Sequence, residues 1–296
     1  MPLITVFTPT YNRAGLLRRG FEALKRQTCK DFLWLIIDDG STDNTREIVN
    51  QFREEESSFE IRYVYKENGG LHTGYNEAIA HLDTELAVCV DSDDYLVDSA
   101  IERVSAFWKE KGNDSLAGVI ALDAEENGRI IGDLLPGAQL NLIALLLGKY
   151  HITNGDRKLF VRSVLYKAVA PQIGFPGEKN FNPHYMHLKI SEKYDFLVLN
   201  EAMCIVEYQG TGMSNGIFRQ YLNSPRSFAE TRRLYLSYPN AGLAFRFRQC
   251  IHYVSSSIHA KDVHFLRTSP AKWLTFFAIP FGIMLSVYVR IKAKNR

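Results

Sequence analysis

Cysteine is scarce and scattered. The 296 residues hold four, Cys29, Cys89, Cys204 and Cys250, with no C-x-x-C pair and no zinc spacing, which excludes a disulfide scaffold and a cysteine zinc site. They read as reduced, mostly buried thiols of a cytosolic compartment. Strong net charge is missing too: the formal charge is +2, so bulk charge gives no support to a nucleic-acid partner. No G-x-G-x-x-G follows the first apolar run, which argues against a dinucleotide fingerprint. The N-terminus, M-P-L-I-T-V-F-T-P-T, has neither the basic segment nor the long apolar run of a secretory signal and reads as a first strand. Low-complexity tracts are absent from a chain that is 46% apolar and 23% charged. Its length suits one large domain, or one domain with an appended region.

What is present is an alternation. Apolar runs at Leu3 to Thr8 (broken by Pro9), Phe32 to Ile37, Ile61 to Tyr65 and Leu86 to Val90 predict four strands. Helical periodicity fills Leu16 to Leu24, with Phe21 and Leu24 facing the core. It returns at Thr45 to Phe52 behind a cap at Ser41 or Asp43, and again after a glycine-rich turn up to Leu82. The pattern predicts an α/β fold: a Rossmann-like, mostly parallel sheet flanked by helices, with functional loops outside the carboxyl ends of its strands. Beyond Tyr95 the sequence predicts a helix over Asp98 to Phe107, a strand over Ala117 to Asp123 and a hairpin turn at 127–129. A strand is expected after Asn154 and another over Tyr194 to Val206. Leu134 to Tyr150 is apolar on nearly every face and predicts a buried helix or one wall of an acceptor site.

The fourth run ends in V-C-V-D-S-D-D, Val88 to Asp94. In extended backbone Asp91 and Asp93 point the same way, about 7 Å apart. Two carboxylates at a buried strand end repel each other unless something positive stands beside them, and a hard divalent cation carrying phosphate oxygens is one such partner. The alternative is that Asp91 caps the strand while Asp93 or Asp94 caps a helix.

Polar loops follow all four strands: T-P-T-Y-N-R (Thr8 to Arg13), I-D-D-G-S-T-D (Ile37 to Asp43), N-G-G-L-H-T-G-Y-N (Asn68 to Asn76) and V-D-S-D-D (Val90 to Asp94). In this order and spacing they resemble glycosyltransferase family 2 of the GT-A fold, inverting enzymes that use nucleotide sugars. The resemblance covers roughly the first third of the chain. It implies that Asp39 accepts from the uracil imide of a UDP-sugar, and that Pro9, Tyr11 and Asn12 line the nucleoside. It puts Asn68, Gly69 and Gly74 near the ribose and diphosphate, with Ser92 among the donor contacts. Asp91 and Asp93 correspond to the pair that holds Mn2+ or Mg2+, Asp93 as the preferred direct ligand and so among the catalytic residues. Asp38 and Asp43 are equally readable as a turn residue and a helix cap, and Gly69 as a turn glycine.

The same resemblance puts the catalytic base in P-G-E-K-N-F-N-P-H-Y-M-H, Pro176 to His187. An inverting transfer needs a base for the acceptor hydroxyl proton while the nucleotide leaves from the opposite face. Relatives carry an acid near the start of the following helix; here Asn182-Pro183-His184 stands there. Glu178 and His184 are therefore both candidates, histidine having an ordinary pKa near 6.5. His187 shares a helical face with His184, so the two can approach a metal or be ordinary helix histidines. The departure also motivates an alternative, a nucleotide-binding scaffold protein on the same fold that has lost turnover. A nucleotidyltransferase, the third reading, needs a basic triphosphate site near the first loop, where only Arg13 is evident. The loop from Glu207 to Asn215 corresponds to one that folds over the donor diphosphate, making Ser214 a further contact.

These expectations divide the chain into a catalytic domain over 1–215 (a nucleotide-binding part to 95, then an acceptor side), a basic helical extension over 216–270 and a tail over 271–296. Trp273 to Val289 is uncharged, with Lys272 before it and basic residues from Arg290 to Arg296 after it. As one helix it measures about 25 Å, short of a hydrocarbon core of about 30 Å, and Pro280 and Gly282 are expected to bend it. Crossing puts the terminal basic residues outside, against the positive-inside tendency. A kinked segment lying in the cytoplasmic leaflet is therefore expected, with packing against Phe245 and Phe247 as the alternative. The whole reads as a metal-assisted transferase on the cytoplasmic side of the plasma membrane, peripheral or with a single C-terminal segment. Its expected acceptor is a hydroxyl of a cell-surface glycan precursor of the lipid-linked kind.

Overall fold

The computed structural model describes residues 2–152, 155–207 and 216–294. They fall into two compact units. The first comprises Met1–Gly69, Thr73–Gln172 and Met186–Gln209, the second Gly70–His72, Ile173–Tyr185 and Gly210–Arg296.

The first unit is built on one sheet. Its strands are β1 (Ile4–Thr10), β2 (Phe32–Asp38), β3 (Glu60–Tyr65), β4 (Leu86–Cys89), β5 (Tyr95–Leu96), β6 (Leu116–Ala124), β7 (Gln139–Leu140), β8 (Arg157–Arg162) and β9 (Asp195–Ile205). Among the described residues these nine form one sheet in the order β3-β2-β1-β4-β8-β6-β9-β5, with β7 also pairing β9. The half from β3 to β4 is parallel, as the alternation predicts. Beyond it the sheet is mixed: β8 runs antiparallel to both β4 and β6, and β6 is parallel to β9. The fold is thus α/β and GT-A-like, with a mixed sheet in place of a mostly parallel one.

Two helix layers cover this sheet because side chains alternate along each strand. On one face α1 (Ala14–Lys25) and α2 (Thr45–Glu55) bring Phe21 and Phe52 into a stack 4.2 Å between centroids, 6.2 and 5.8 Å from Trp34 of β2. The helix α4 (Ala100–Lys111) adds Ile101, Val104 and Trp108 to the same core. On the other face Phe7 meets Tyr75 of α3 (Leu71–Ala80) and Tyr166 of α6 (Ser163–Val169), both edge-on.

Pro9 does not end β1. It pairs with Ile37 of β2, and the reason lies in the register. Phe7 turns its carbonyl to Val90, whereas Thr10 turns its carbonyl to Asp39. Pro9 therefore points its missing N–H to the side where β4 has already stopped at Cys89, and no ladder bond is lost. The buried helix expected over Leu134 to Tyr150 is corrected. The segment holds β7 and only a five-residue helix, α5 (Leu142–Leu146), which is largely half-buried. Gly137 and Gly148, both at positive φ, bracket it, and Asn141 caps it through Ile143 and Ala144. The expected turn at 127–129 is present, with Gly128 at φ +84°.

The second unit is helical. Its core is made by α9 (Pro225–Ser237), α10 (Leu243–His259) and α12 (Lys272–Lys294), which meet at Leu236, Cys250, Tyr253 and Ala278. Two shorter helices, α8 (Ile217–Asn223) and α11 (Phe265–Thr268), complete it. The helix α7 (His184–Ser191) begins in this unit and continues in the first.

Candidate active site

The loops after β1, β2 and β3 are tied to one another by short polar side chains. Asn12, at φ +51°, is the hub. Its amide carbonyl accepts from the Thr42 and Asp43 backbone N–H groups, while its own N–H donates to Ser41 Oγ. Asn tolerates this left-handed conformation better than most side chains. Asp43 then accepts from Thr45 N–H and Ala14 N–H, serving the first turns of both α2 and α1. Burial opposes its charge, but the bonds from Thr45 and Ala14 win and hold the carboxyl below its ordinary range.

Asp38 and Asp39 have different neighbours. Asp38 accepts from Ser41 N–H at 2.7 Å and from Tyr63 Oη at 2.5 Å. Burial and that carboxylate push the Tyr63 phenol up to about 12. Asp39 turns to the third loop: Lys66 Nζ donates to Oδ1 at 2.6 Å and Gly69 N–H at 2.9 Å. The Asn68 amide donates to its backbone carbonyl at 2.7 Å and to Oδ2 at 3.3 Å. Gly40, at φ +86°, has no room for a Cβ, which would stand 2.7 Å from Asn68 N. A Cβ on Gly69 would meet Thr73 Oγ1 at 2.6 Å, and one on Gly74 would lie 3.5 Å from Pro9. Tyr11 is half exposed at 48%, its ring open to a stacking partner.

The D-S-D-D segment is a turn where extended backbone is expected. β4 ends at Cys89, and Asp94 N–H donates to the Asp91 carbonyl at 2.9 Å. Asp91 and Asp93 are thereby set differently. Asp91 is exposed and accepts from the Cys89 thiol at 3.7 Å, a thiol that burial and the Asp91 charge push well up. Asp93 meets Arg13 Nη1 at 3.2 Å, and the same nitrogen donates to Ser92 Oγ at 3.3 Å. Asp94 turns inward to Lys158 of β8 at 3.6 Å, which also lies 3.9 Å from Asp123 of β6. Burial pushes Asp94 up to about 7 against the opposing pull of Lys158, and Asp123 up to about 6 likewise. Burial works against the Lys158 charge as well, but its carboxylate neighbours overcome it and keep the ammonium protonated.

Among the described residues no group of three or more His, Cys, Asp or Glu can hold a metal ion by itself. The pair Asp91 and Asp93 nevertheless fits Mg2+ or Mn2+. These hard ions take one or two carboxylates and complete their shell with substrate phosphates and water, in place of an all-protein cage.

Glu178 and His184 stand in the second unit. Glu178 Oε1 accepts from Arg226 N–H at 2.8 Å, and Oε2 from Ser227 N–H at 2.8 Å and Ser227 Oγ at 2.6 Å. The carboxylate thus satisfies the open N–H groups of α9's first turn and suits the positive end of that helix. His184 opens α7, its N–H bonded to Asn182 Oδ1. Burial pushes its imidazole down to about 4. His187 goes elsewhere, its Nε2 bonding Tyr166 Oη at 2.8 Å. Ser214 lies outside the described residues.

Three cations escaped sequence reasoning as site residues: Arg13, Lys66 and Lys158. Arg13 and Lys66 lie inside or beside the loop motifs, so position was a usable signal. Lys158 is 64 residues from Asp94, in a strand whose pairing no local pattern announces.

Known proteins agree with this architecture. The glycosyl transferase family 2 profile matches residues 5–168, more than half of the chain. The chain belongs to glycosyl transferase family 2. It is 34% identical to the chondroitin synthase of Pasteurella multocida over 112 residues, 38% of this chain and 11% of that protein. It is 29% identical to the poly(ribitol-phosphate) beta-glucosyltransferase of Bacillus spizizenii over 164 residues, 55% and 25% of the two chains. The chain thus spans a quarter or less of the length of these relatives. In structure it is similar to S. aureus TarS residues 1–349, with a TM-score of 0.59 at 18% identity, over 99% of this chain and 91% of that one. It is similar also to the mannosyltransferase PcManGT of Pyrobaculum calidifontis, solved with GDP-Man and Mn2+, with a TM-score of 0.56 at 17% identity over 98% and 80%. These two likenesses concern the fold.

Two expectations follow from the buried charges. Lys158→Met leaves Asp94 and Asp123 buried without their counter-ion and is expected to cost about 3–5 kcal/mol, read as a lowered urea midpoint. His184 gives a pH signature. The unfolded chain takes up a proton near pH 6.5, whereas the folded chain refuses it until about 4. Its contribution to stability is therefore complete above pH 6.5 and is lost as pH falls through that window. Urea midpoints of the parent should drop more steeply than those of His184→Gln between these two pH values; equal slopes would remove His184 as the buried neutral group.

Proposed function

We propose that this glycosyltransferase moves a sugar from a UDP-sugar to a hydroxyl of a cell-surface glycan precursor, with inversion and with divalent-metal assistance. The observation that carries the reading is the placing, at the carboxyl ends of adjacent strands β2, β1 and β4, of two unlike acceptor sets: Asp39, and the Asp91/Asp93 turn. Asp39 suits a uracil N–H, since a carboxylate oxygen accepts more than one hydrogen bond and Lys66 with Gly69 fixes its orientation. Pro9 and Tyr11 offer the base a flat apolar wall, and Gly69 and Gly74 the close backbone approach a diphosphate needs. TarS of S. aureus, solved with UDP-GlcNAc and with UDP, supports the choice of nucleotide.

Asp91 and Asp93 are the residues to hold Mn2+ or Mg2+. When bound, such an ion offsets the charge that gathers on the departing diphosphate. Arg13 is the chain's own contribution to the same end, a guanidinium that orients the turn through Ser92 and Asp93. In the transfer itself the acceptor oxygen bonds the anomeric carbon, the bond to the diphosphate breaks with its electron pair leaving on UDP, and the hydroxyl proton passes to a base. Between the two candidates the reading favours His184. Both Glu178 oxygens are committed to α9 through Arg226 and Ser227, which leaves His184 as the candidate. The enzyme then works at the cytoplasmic face of the plasma membrane on a lipid-linked acceptor, held peripherally by α12, a helix long and apolar enough to cross a membrane.

Calorimetry tests the donor half. UDP should bind more tightly than GDP, more tightly again with Mn2+, and Asp93→Ala should remove most of the metal enhancement; an unchanged enhancement in a folded variant sinks the Asp91/Asp93 assignment. For the base, His184→Gln should keep UDP binding but lose turnover by about 10²–10⁴-fold. Glu178→Gln should mainly cost stability, about 1 kcal/mol for a weakened helix cap. The reverse outcome makes Glu178 the base.

A further inference from the structure

The C-terminal helix has two unlike faces. Thr275, Ala278, Gly282, Ser286 and Val289 are buried. They form a narrow seam of mostly small side chains against α10. A Cβ on Gly282 would stand 2.4 Å from Val254 Cγ1 and 3.1 Å from the Ile251 carbonyl, so the two helices touch backbone to side chain. Thr275 closes the seam by bonding Ser269 Oγ and the Cys250 sulfur. The outward face is the reverse. Trp273 is 80% exposed, Phe277 64% and Met284 68%, with Phe281, Val287 and Ile291 at about half. An uninterrupted row of this size marks a surface that meets something apolar.

Charge says what that is. Before residue 216 the chain has 31 Asp and Glu against 22 Lys and Arg; from 216 onward it has two against 13. The near-neutral total conceals a strongly basic helical extension. Lys272 stands exposed at one end of α12, and Arg290, Lys292 and Lys294 at the other. An apolar row with cations at both ends complements an anionic lipid surface.

Length does not decide how the helix sits there, since 23 residues reach about 34 Å. Packing does. α10 lies along the seam, with Cys250 at Thr275 and Val254 at Gly282, so a crossing α12 would draw this stretch of α10, His252 included, into hydrocarbon. Pro280 adds to the argument. It is exposed, lacks an N–H, and leaves the Phe276 carbonyl without its helical donor, a group that water or headgroups satisfy at an interface and acyl chains do not.

We infer that α10 and α12 form a monotopic seat lying flat in one leaflet of an anionic bilayer, with the Trp273–Phe277–Met284 row embedded and Lys272 and Arg290 to Lys294 at the phosphates. This inference rests on the peripheral-membrane reading proposed above and fixes which face enters and in what orientation.

The test uses the full chain and vesicles of phosphatidylcholine with or without phosphatidylglycerol. Flotation should be strong with phosphatidylglycerol and weak without it. Phe277→Glu with Met284→Glu should lower partition roughly tenfold or more while leaving UDP binding intact. Orientation is read by moving one tryptophan along the row: the native Trp273, then Phe277→Trp, Met284→Trp or Val287→Trp in a Trp273→Phe background. Brominated lipids at two depths act as quenchers, and Trp34 and Trp108, buried in the first unit, give a constant background. Equal, shallow quenching at all four positions is expected. Quenching deepest at the middle positions and shallow at the ends means the helix crosses, which overturns the flat seat but leaves membrane attachment standing. Absence of flotation on any vesicle overturns both. So does a parent that sediments as a dimer while the double Glu variant is monomeric and neither floats, since the row then meets a second copy of the chain.

Discussion

Everything at the carboxyl edge of this sheet depends on how four carboxylates are held within one turn and its underside. Asp91, Asp93, Asp94 and Asp123 repel one another, and the two inner ones are buried. Lys158 meets that repulsion from below and Arg13 from the side. The arrangement separates two roles within D-S-D-D. Asp94 is committed to the core and anchors the turn, which leaves Asp91 and Asp93 presented outward on a fixed backbone. Removing the buried cation is therefore costly beyond the loss of one ion pair, because two desolvated carboxylates remain.

Fixing the turn would be of little use if neighbouring loops moved independently. Asn12 belongs to the first loop yet bonds the second, and Asp39 in the second bonds Lys66 and the third. Each loop is oriented by a side chain from another. On the proposed reading a nucleotide meeting them would find its acceptors already placed and lose less ordering entropy on binding. The glycines serve the same end: Gly40 and Gly69 bring backbone where any side chain would collide.

Much of this was legible in the sequence because it is locally encoded. Period-two apolar runs end in polar loops, and a strand followed by a capped helix is a short-range pattern. Strands β1 to β4 and their loops follow from that. What escaped is what long-range pairing decides. Glu178 stands where a base is expected, but its oxygens bond Arg226 and Ser227, 48 and 49 residues away. His187 shares a helical face with His184, but Tyr166 takes its ring nitrogen. The extended reading of Val90 to Asp94 failed because the last bond to β1 is the one from Val90 N–H to Phe7, after which the backbone turns and Asp94 N–H bonds the Asp91 carbonyl. Leu134 to Tyr150 misled by composition alone: its apolar residues pack piecemeal, since Gly137 and Gly148 take conformations that no helix continues.

The split in charge bears on the proposed binding of an anionic donor. The first 215 residues carry an excess of acid, so a nucleotide diphosphate would gain nothing from long-range attraction to them and would be repelled at low salt. Binding of such a donor would have to come from cations at contact distance, where Coulomb energy is large and screening small. Arg13 and Lys66 are such cations, and each is already paired, with Asp93 and Asp39. A paired cation offers the phosphate only the difference between two interactions. A divalent ion added at Asp91 and Asp93 changes that balance: it would take over the carboxylate that Arg13 now faces and leave the guanidinium to the phosphate. On the proposed reading Asp91, Asp93 and Arg13 together would carry one net negative charge without the ion and one net positive charge with it, so the turn would attract a diphosphate only with the ion in place.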